Sequence, residues 1–123
     1  MFYEQDWILW QISIIIKFIR SLLSKESNVY EQDEEQTVFK EEIEKLIELN
    51  RLKEANSLIV KTSKDKDVLA LGLWFYALLN DLSDKKLEEG ALAREDILKG
   101  LRTLLYNSDR IDNSIVDIII DKY

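Results

Sequence analysis

The 123-residue chain contains no histidine, no cysteine and no proline, and it has only three glycines. Without histidine, it lacks the side chain that most often transfers protons or binds metals near neutral pH. Without cysteine, it has neither disulfide bonds nor thiol chemistry, so nothing indicates an oxidising compartment and we expect a cytoplasmic protein. Since proline is absent and glycine is rare, little in the sequence interrupts helices. These absences favour a helical protein with few routes to catalysis.

Hydrophobic residues make up 46% of the chain and charged residues 33%, which is an ordinary composition for a globular protein. At this length we expect a single domain, 1–123, that can bury a core. The net charge is −7, and residues 31–60 carry nine acidic side chains against four basic ones. Nucleic-acid binding requires a basic surface that displaces counterions. We therefore expect no nucleic-acid partner.

The most hydrophobic segment, WILWQISIIIKFIRSLL at residues 7–23, lies close to the start of the chain. Lys17 and Arg20 interrupt it, and a charge inside a bilayer costs at least about 2.5 kcal/mol, so we do not expect a membrane-spanning helix. A secretory signal is also a poor match, because the acidic Glu4 and Asp6 precede the apolar run where basic residues belong. The segment predicts a long apolar helix over residues 1–24.

On a helical wheel, Ser13, Lys17, Arg20 and Ser24 form one narrow polar stripe, and about two-thirds of the circumference is apolar. Such a helix needs cover on two sides. The protein's own core can cover one side, and the other side can be covered by the same core, by a second copy of the chain or by a membrane surface. The sequence leaves open which of these applies. The candidate interface residues are Trp7, Trp10, Gln11, Ile14, Ile15, Phe18 and Leu22.

Gln11 lies in the middle of the apolar arc. A buried amide without a partner costs about 1–3 kcal/mol, so we expect it to meet another polar group. That group is either a loop carbonyl of its own chain or the same glutamine of a second copy. In the second case the glutamine would help to fix the register of a homodimer.

The rest of the chain predicts an all-α bundle, with about six helices in total. We expect an acidic linker at 25–36, a helical core at 37–106 and a C-terminal extension at 107–123. Helices are predicted at 35–50, 52–63, 66–82 and 94–106, with a short helical turn between Ser83 and Gly90. The tail after Asp112 contains β-branched residues typical of a strand and capping residues typical of a helix. We predict a helix.

The centre of the predicted helix at 66–82, from Val68 to Leu79, is apolar all round, which is typical of an enclosed helix. Gly72 inside it costs about 1 kcal/mol relative to alanine, so we expect close contact there with a neighbouring helix. The residues expected in the core are Leu71, Trp74, Phe75 and Leu78.

The run from Leu46 to Ala55 resembles the turn of a tetratricopeptide repeat, in which a small residue at the Ala55 position lets two helices approach closely. Asn50 suits the end of the first helix, because it tolerates the left-handed conformation. This resemblance covers one hairpin. It implies a surface on which a partner protein or peptide could dock.

Three longer stretches carry a second resemblance: DWILWQI from Asp6, LWFYALLNDLSDKKLEEG at 73–90, and REDILKGL at 94–101. The chain resembles a family of small, functionally uncharacterised proteins of Gram-positive bacteria over most of residues 5–106. Residues 107–123 extend beyond the usual end of that pattern. The resemblance implies no activity, cofactor or catalytic residue.

No glycine-rich phosphate loop and no nucleophile motif occurs in the sequence. Glu41, Glu44 and Glu48 share one helix face, but di-metal bundles combine such glutamates with histidines, and a solvated face explains the row. Glu42 lies instead at the edge of the apolar arc. We therefore expect no catalytic residue, no metal and no cofactor, and an enzyme that uses carboxylates is the weakest hypothesis.

The function favoured by the sequence is a non-catalytic interaction module that forms a homodimer through the N-terminal helix. The alternative is a peripheral membrane-surface module. Trp7 and Trp10 at one end of the helix, with Lys17 and Arg20 towards the other, are typical of an interfacial helix. The acidic body of the protein argues against this alternative, because anionic lipids would repel it.

Overall fold

The computed structural model of the protein describes residues 4–23 and 34–122, with side chains described within 7–23 and 34–120. These residues form seven α-helices and no strand, which confirms the all-α class. The tail after Asp112 forms a helix, as predicted, and the described residues contain seven helices where about six were predicted. The helices are α1 (Glu4–Leu23), α2 (Glu34–Glu48), α3 (Leu52–Ser63), α4 (Leu69–Asn80), α5 (Asp84–Glu89), α6 (Arg94–Asn107) and α7 (Asn113–Lys122).

Several helix ends follow the local signals read from the sequence. Asn50, between α2 and α3, has a φ of 58°, as predicted. The Ser83 hydroxyl accepts a hydrogen bond from the Lys86 amide at 3.2 Å and caps α5. Before α7, the Asp112 carboxylate accepts hydrogen bonds from the amide and the hydroxyl of Ser114. These bonds lower the pKa of Asp112.

Two predicted boundaries are wrong. The linker predicted at 25–36 is too long, because α2 already begins at Glu34, and residues 25–33 lie outside the described part of the chain. The helix predicted from Lys66 begins only at Leu69. The Asp67 carboxylate accepts a hydrogen bond from the Leu69 amide at 3.2 Å, and this contact favours a helix start after Val68.

The centre of the fold is the pair α4 and α6. α1 packs against both of these helices, α3 and α7 pack against α6, and α2 packs against α3. Gly72 of α4 faces Leu104 of α6 so closely that a Cβ atom there would overlap the leucine side chain. This is the close helix contact that the glycine predicted.

Two of the four predicted core residues of α4 are buried and two are not. Leu71 and Phe75 are buried, whereas Trp74 and Leu78 are only half-buried and pack at the edge of the core. The prediction that α4 is an enclosed helix is therefore wrong for the side that carries Trp74 and Leu78. The Lys40 ammonium of α2 lies 4.9 Å from the centre of the Trp74 ring, an arrangement that allows the tryptophan to remain partly exposed.

The C-terminal residues contribute to the core. Val116 and Ile119 of α7 are buried, and so is Ile111 in the preceding turn. α7 packs on α6, so the segment predicted as an extension covers part of the central pair.

In the turn between α5 and α6, the residue that allows close packing and the residue with the left-handed conformation are different. One glycine often serves both purposes at the end of a helix. Gly90 has a φ of −88°, and a Cβ there would overlap Leu52, so close packing requires this glycine. The left-handed residue is the next one, Ala91, with a φ of 60°. The Leu92 amide donates to the Leu87 carbonyl at 3.0 Å across this turn, as in a Schellman motif.

Candidate interaction surface

Helix α1 has an inner and an outer face. The inner face buries Ile12, Ile15, Ile16 and Ile19 in the core. On the outer face Trp7, Trp10 and Phe18 are 57%, 45% and 41% exposed. The candidates Gln11, Ile14 and Leu22 are half-buried. Ile15 is therefore a core residue, and the other six candidates reach the protein surface. We call these six residues the outer face of α1.

A polar contact between α4 and α1 helps to decide which face points outward. The amide nitrogen of Asn80, the last residue of α4, donates hydrogen bonds to the Leu9 carbonyl at 3.1 Å and to the Ser13 hydroxyl at 3.2 Å. Ser13 therefore faces the protein body and does not share the exposed stripe of Lys17 and Arg20. Ser24, the fourth residue of the predicted stripe, lies outside the described residues.

Arg94, the first residue of α6, holds the Asn80 side chain in place. Arg94 is 5% exposed. One terminal nitrogen of its guanidinium donates to the Asn80 carbonyl at 3.0 Å and to its Oδ1 at 3.3 Å, and the other donates to the Leu82 carbonyl at 2.7 Å. Its Nε donates to Asp84 at 2.9 Å. Because the amide oxygen accepts from Arg94, the amide NH₂ group is directed towards α1.

Asn80 and Arg94 were not predicted from the sequence as residues that position α1. The available signal was position: Asn80 ends a helix that is otherwise almost entirely apolar, and Arg94 opens α6 beside the acidic α5. A polar residue at such a position in a compact fold must find partners, because a buried polar group without them is costly.

The outer face of α1 has a regular geometry. Trp7 and Trp10 stack with their ring centres 5.2 Å apart and their planes at 28°. Trp7, Gln11, Ile14 and Phe18 follow i, i+4, i+7, i+11 spacing, so they form a nearly straight stripe about 16 Å long. At roughly 200 Å² per aromatic side chain, the exposures of the three rings leave about 300 Å² uncovered. This matches the largest apolar patches of typical monomers, which are often functional.

The other exposed large hydrophobic residues of the described chain, Val38, Leu49, Tyr106 and Ile118, lie away from α1 in the sequence. Val38 and Ile118 are 63% and 64% exposed, and they lie on different helices, α2 and α7. Leu49, 64% exposed, follows the last residue of α2. Single exposed hydrophobic side chains are common on protein surfaces and need no functional explanation.

Among the described residues, two clefts are lined by no residue of α1. One, of about 400 Å³, lies where α5 meets α6 and is lined by Asp84, Leu87, Arg94 and their neighbours. The other, of about 510 Å³, lies between α2 and α3. Within 4–23 and 34–122, no group of three or more His, Cys, Asp or Glu side chains is arranged to hold a metal ion. Among the helices of the same residues, none has the length and apolar character required to cross a membrane.

Comparison with known proteins places the chain in an uncharacterised group. A family model described as "Family of unknown function (DUF6483)" matches residues 2–108. This confirms the resemblance to a functionally uncharacterised family. No curated protein and no solved structure matches the chain.

Proposed function

The chain belongs to this family of unknown function, and from the geometry of α1 we propose that the protein is a non-catalytic module that forms a homodimer through the outer face of this helix. The observation that carries the proposal is the row of exposed aromatic side chains on α1, with Trp7 at one end and Phe18 at the other. About 300 Å² of exposed aromatic surface on the outer face of α1 favours contact with another apolar surface over contact with water.

The stripe is self-complementary in an antiparallel arrangement. With a two-fold axis between Gln11 and Ile14, the Trp7 of each copy lies opposite the Phe18 of the other, and each Gln11 lies opposite an Ile14. A parallel arrangement would instead bring the exposed Lys17 and Arg20 of both copies to the same end, where like charges repel. Antiparallel helices also oppose their macrodipoles. Both considerations favour the antiparallel dimer.

The size of the surface is compatible with such a dimer. A standard interface buries about 800 Å² per partner, and the three rings supply about 300 Å² of it. Half-buried Gln11, Ile14 and Leu22, together with the aliphatic parts of Lys17 and Arg20, extend the area beyond the rings. The two Gln11 side chains lie diagonally across the two-fold axis, about three residues apart along the helices, so a hydrogen bond between their amides would favour this register over others.

The test is sedimentation velocity of the intact protein over a range of concentrations, compared with the double variant Trp7→Gln and Phe18→Gln. Covering 57% of a side chain of roughly 200 Å² contributes about 3 kcal/mol per copy for Trp7 alone. Both copies lose this contribution, so the double variant should be monomeric at every accessible concentration. The control, Ile118→Gln, removes an apolar side chain on α7 that is more exposed, at 64%, than either Trp7 or Phe18. It should leave the dimer intact.

Two results would contradict the proposal. The wild-type protein could be monomeric at high micromolar concentration, or the Ile118 control could weaken association as much as the double variant. Flotation with anionic vesicles tests the membrane-surface alternative: a monomer that floats with vesicles through Trp7 and Phe18 would replace the dimer with an interfacial helix.

The absence of cysteine makes the orientation testable. A mixture of the single variants Gln11→Cys and Ile14→Cys should form a disulfide between the two kinds of chain readily, because these positions face each other across the antiparallel axis. Gln11→Cys alone should cross-link poorly. Efficient cross-linking of the single variant would instead indicate a parallel dimer or a two-fold axis at Gln11.

The hairpin of α2 and α3 supports a further part of the proposal, that this helix pair is of the tetratricopeptide type. Ala55 is fully buried, and the left-handed Asn50 makes a short connection between the two helices. A small residue at the Ala55 position lets the helices approach. Replacing Ala55 with leucine should therefore force the two helices apart and lower the melting temperature.

A further inference from the structure

The cleft between α2 and α3 is built from three parts of the chain. Glu35, Phe39 and Glu42 share one face of α2, at i, i+4, i+7 spacing, and form one wall. Leu58 and Thr62, one turn apart on α3, form the opposite wall. The residues before α4, from 66 to 68, close one end. Its volume, about 510 Å³, lies within the usual range of sites for small ligands.

The interior of the cleft is apolar. Val68 is 5% exposed, and the half-buried Phe39 and Leu58 pack against the hydrophobic core. These side chains offer an aromatic ring and two aliphatic groups to a ligand. An apolar group placed among them would be removed from water on several sides.

The rim of the cleft is negatively charged. Three carboxylates line it, those of Glu35, Glu42 and Asp67, against the single ammonium of Lys66. Lys66 forms an ion pair with Glu35. Asp67 lies 3.6 Å from the Arg110 guanidinium and also accepts a hydrogen bond from the Leu69 amide.

Glu42 differs from the other two carboxylates of the rim. It forms no ion pair within the described part of the chain, and it lies one helical turn from Phe39 on the same wall of the cleft. Glu42 lies at the edge of the apolar arc of α2 on a helical wheel, and its place in the wall of the cleft accounts for that position.

We propose that this cleft binds a small organic cation that carries an apolar body. The cationic group lies against the Glu42 carboxylate and the face of the Phe39 ring, where ionic and cation–π attraction act together. The apolar body contacts Leu58 and Val68. The negatively charged rim of the cleft repels an anionic ligand of the same shape. This site is separate from the outer face of α1, so it adds a ligand-binding activity to the proposed dimer.

The test compares three probes of similar shape and different charge on the full-length protein: phenylpropylamine, phenylpropanol and phenylpropionate. Binding is followed by two-dimensional NMR titration, in which the amides of α2, α3 and residues 66–68 should shift. The amine should bind about tenfold more tightly than the alcohol, since it meets both a carboxylate and an aromatic face. The carboxylate probe should not bind. Added salt should weaken the binding of the amine more than that of the alcohol.

A matched pair of variants tests the role of Glu42. Glu42→Gln should weaken amine binding about fivefold, the factor expected from the upper range of an exposed ion pair. Glu44→Gln changes the net charge equally on the same helix but lies outside the cleft, so it should leave the affinity unchanged. Both residues are exposed, so both variants should fold. Equal binding of amine and alcohol, or equal effects of the two variants, would overturn the proposal.

Discussion

Replacing Arg94 with methionine should destabilise the protein strongly, and the structure indicates which contacts are responsible. The guanidinium donates to three acceptors at the end of α4 and just beyond it: the Asn80 carbonyl, the Asn80 amide oxygen and the Leu82 carbonyl. Carbonyls at a helix C-terminus have no partner within the helix, so Arg94 supplies what the backbone cannot. Methionine keeps much of the aliphatic packing but donates no hydrogen bond.

The magnitude follows from the acceptors that lose their donor. A buried acceptor without a partner costs about 1–3 kcal/mol. With some access of water to the Leu82 carbonyl, we expect Arg94→Met to lower the free energy of unfolding by about 3 kcal/mol. The ion pair with Asp84 contributes little, because that carboxylate is 68% exposed, and exposed pairs contribute about 1 kcal/mol or less. Asp84→Asn should therefore cost less than about 1 kcal/mol.

The assay is urea unfolding followed by far-UV circular dichroism, with both variants and the wild type at the same protein concentration. A fixed concentration is needed because dimerisation would add to the apparent stability. The free energy of unfolding of Arg94→Lys should lie between those of Arg94→Met and the wild type. A lysine ammonium still donates hydrogen bonds, but it cannot reach all the acceptors that the forked guanidinium contacts. The reasoning would be refuted if Asp84→Asn destabilised the protein as much as Arg94→Met, or if Arg94→Met cost less than about 1 kcal/mol.

Two further predictions concern the backbone and the core. Ala91→Gly should raise the free energy of unfolding by about 0.5–1 kcal/mol in the same assay, because Ala91 is left-handed; no gain would contradict this. Tyr76 is buried and donates to Asn56 at 2.6 Å, and burial raises its pKa. Since the unfolded state ionises more readily, stability should fall above pH 10 or so. Tyr76→Phe should reduce this loss of stability at high pH. If stability depends on pH in the variant as it does in the wild type, ionisation of Tyr76 is not the cause.

Much of the fold could be predicted from short-range patterns. The helices, the left-handed Asn50 and the Ser83 cap depend on residues within a few positions of each other, so their signals are local. Gly72 also indicated a close helix contact, although not that the neighbour would be Leu104. The start of α4 was misplaced because Asp65 and Asp67 are both plausible caps by sequence.

The candidate interaction surface could be predicted only in part. The sequence indicated that α1 is apolar over more of its circumference than one packed side requires. The same pattern predicted which residues lie at the interface. It placed Ser13 outside and Ile15 at the interface, whereas the structure directs Ser13 to Asn80 and buries Ile15. A helix that is apolar over most of its circumference has no single preferred inner arc, so helical periodicity cannot orient it.

By itself, the sequence determined that this is a chain of helices with an apolar N-terminal segment, since helix formation and capping depend on neighbouring residues. Only the tertiary structure decided which side of α1 faces outward and which residues line the cleft. The contact of Asn80 with Leu9 spans 71 positions, and the ion pair of Lys66 with Glu35 spans 31. Contacts between residues so far apart in the sequence form only when the helices pack, so local sequence patterns do not predict them.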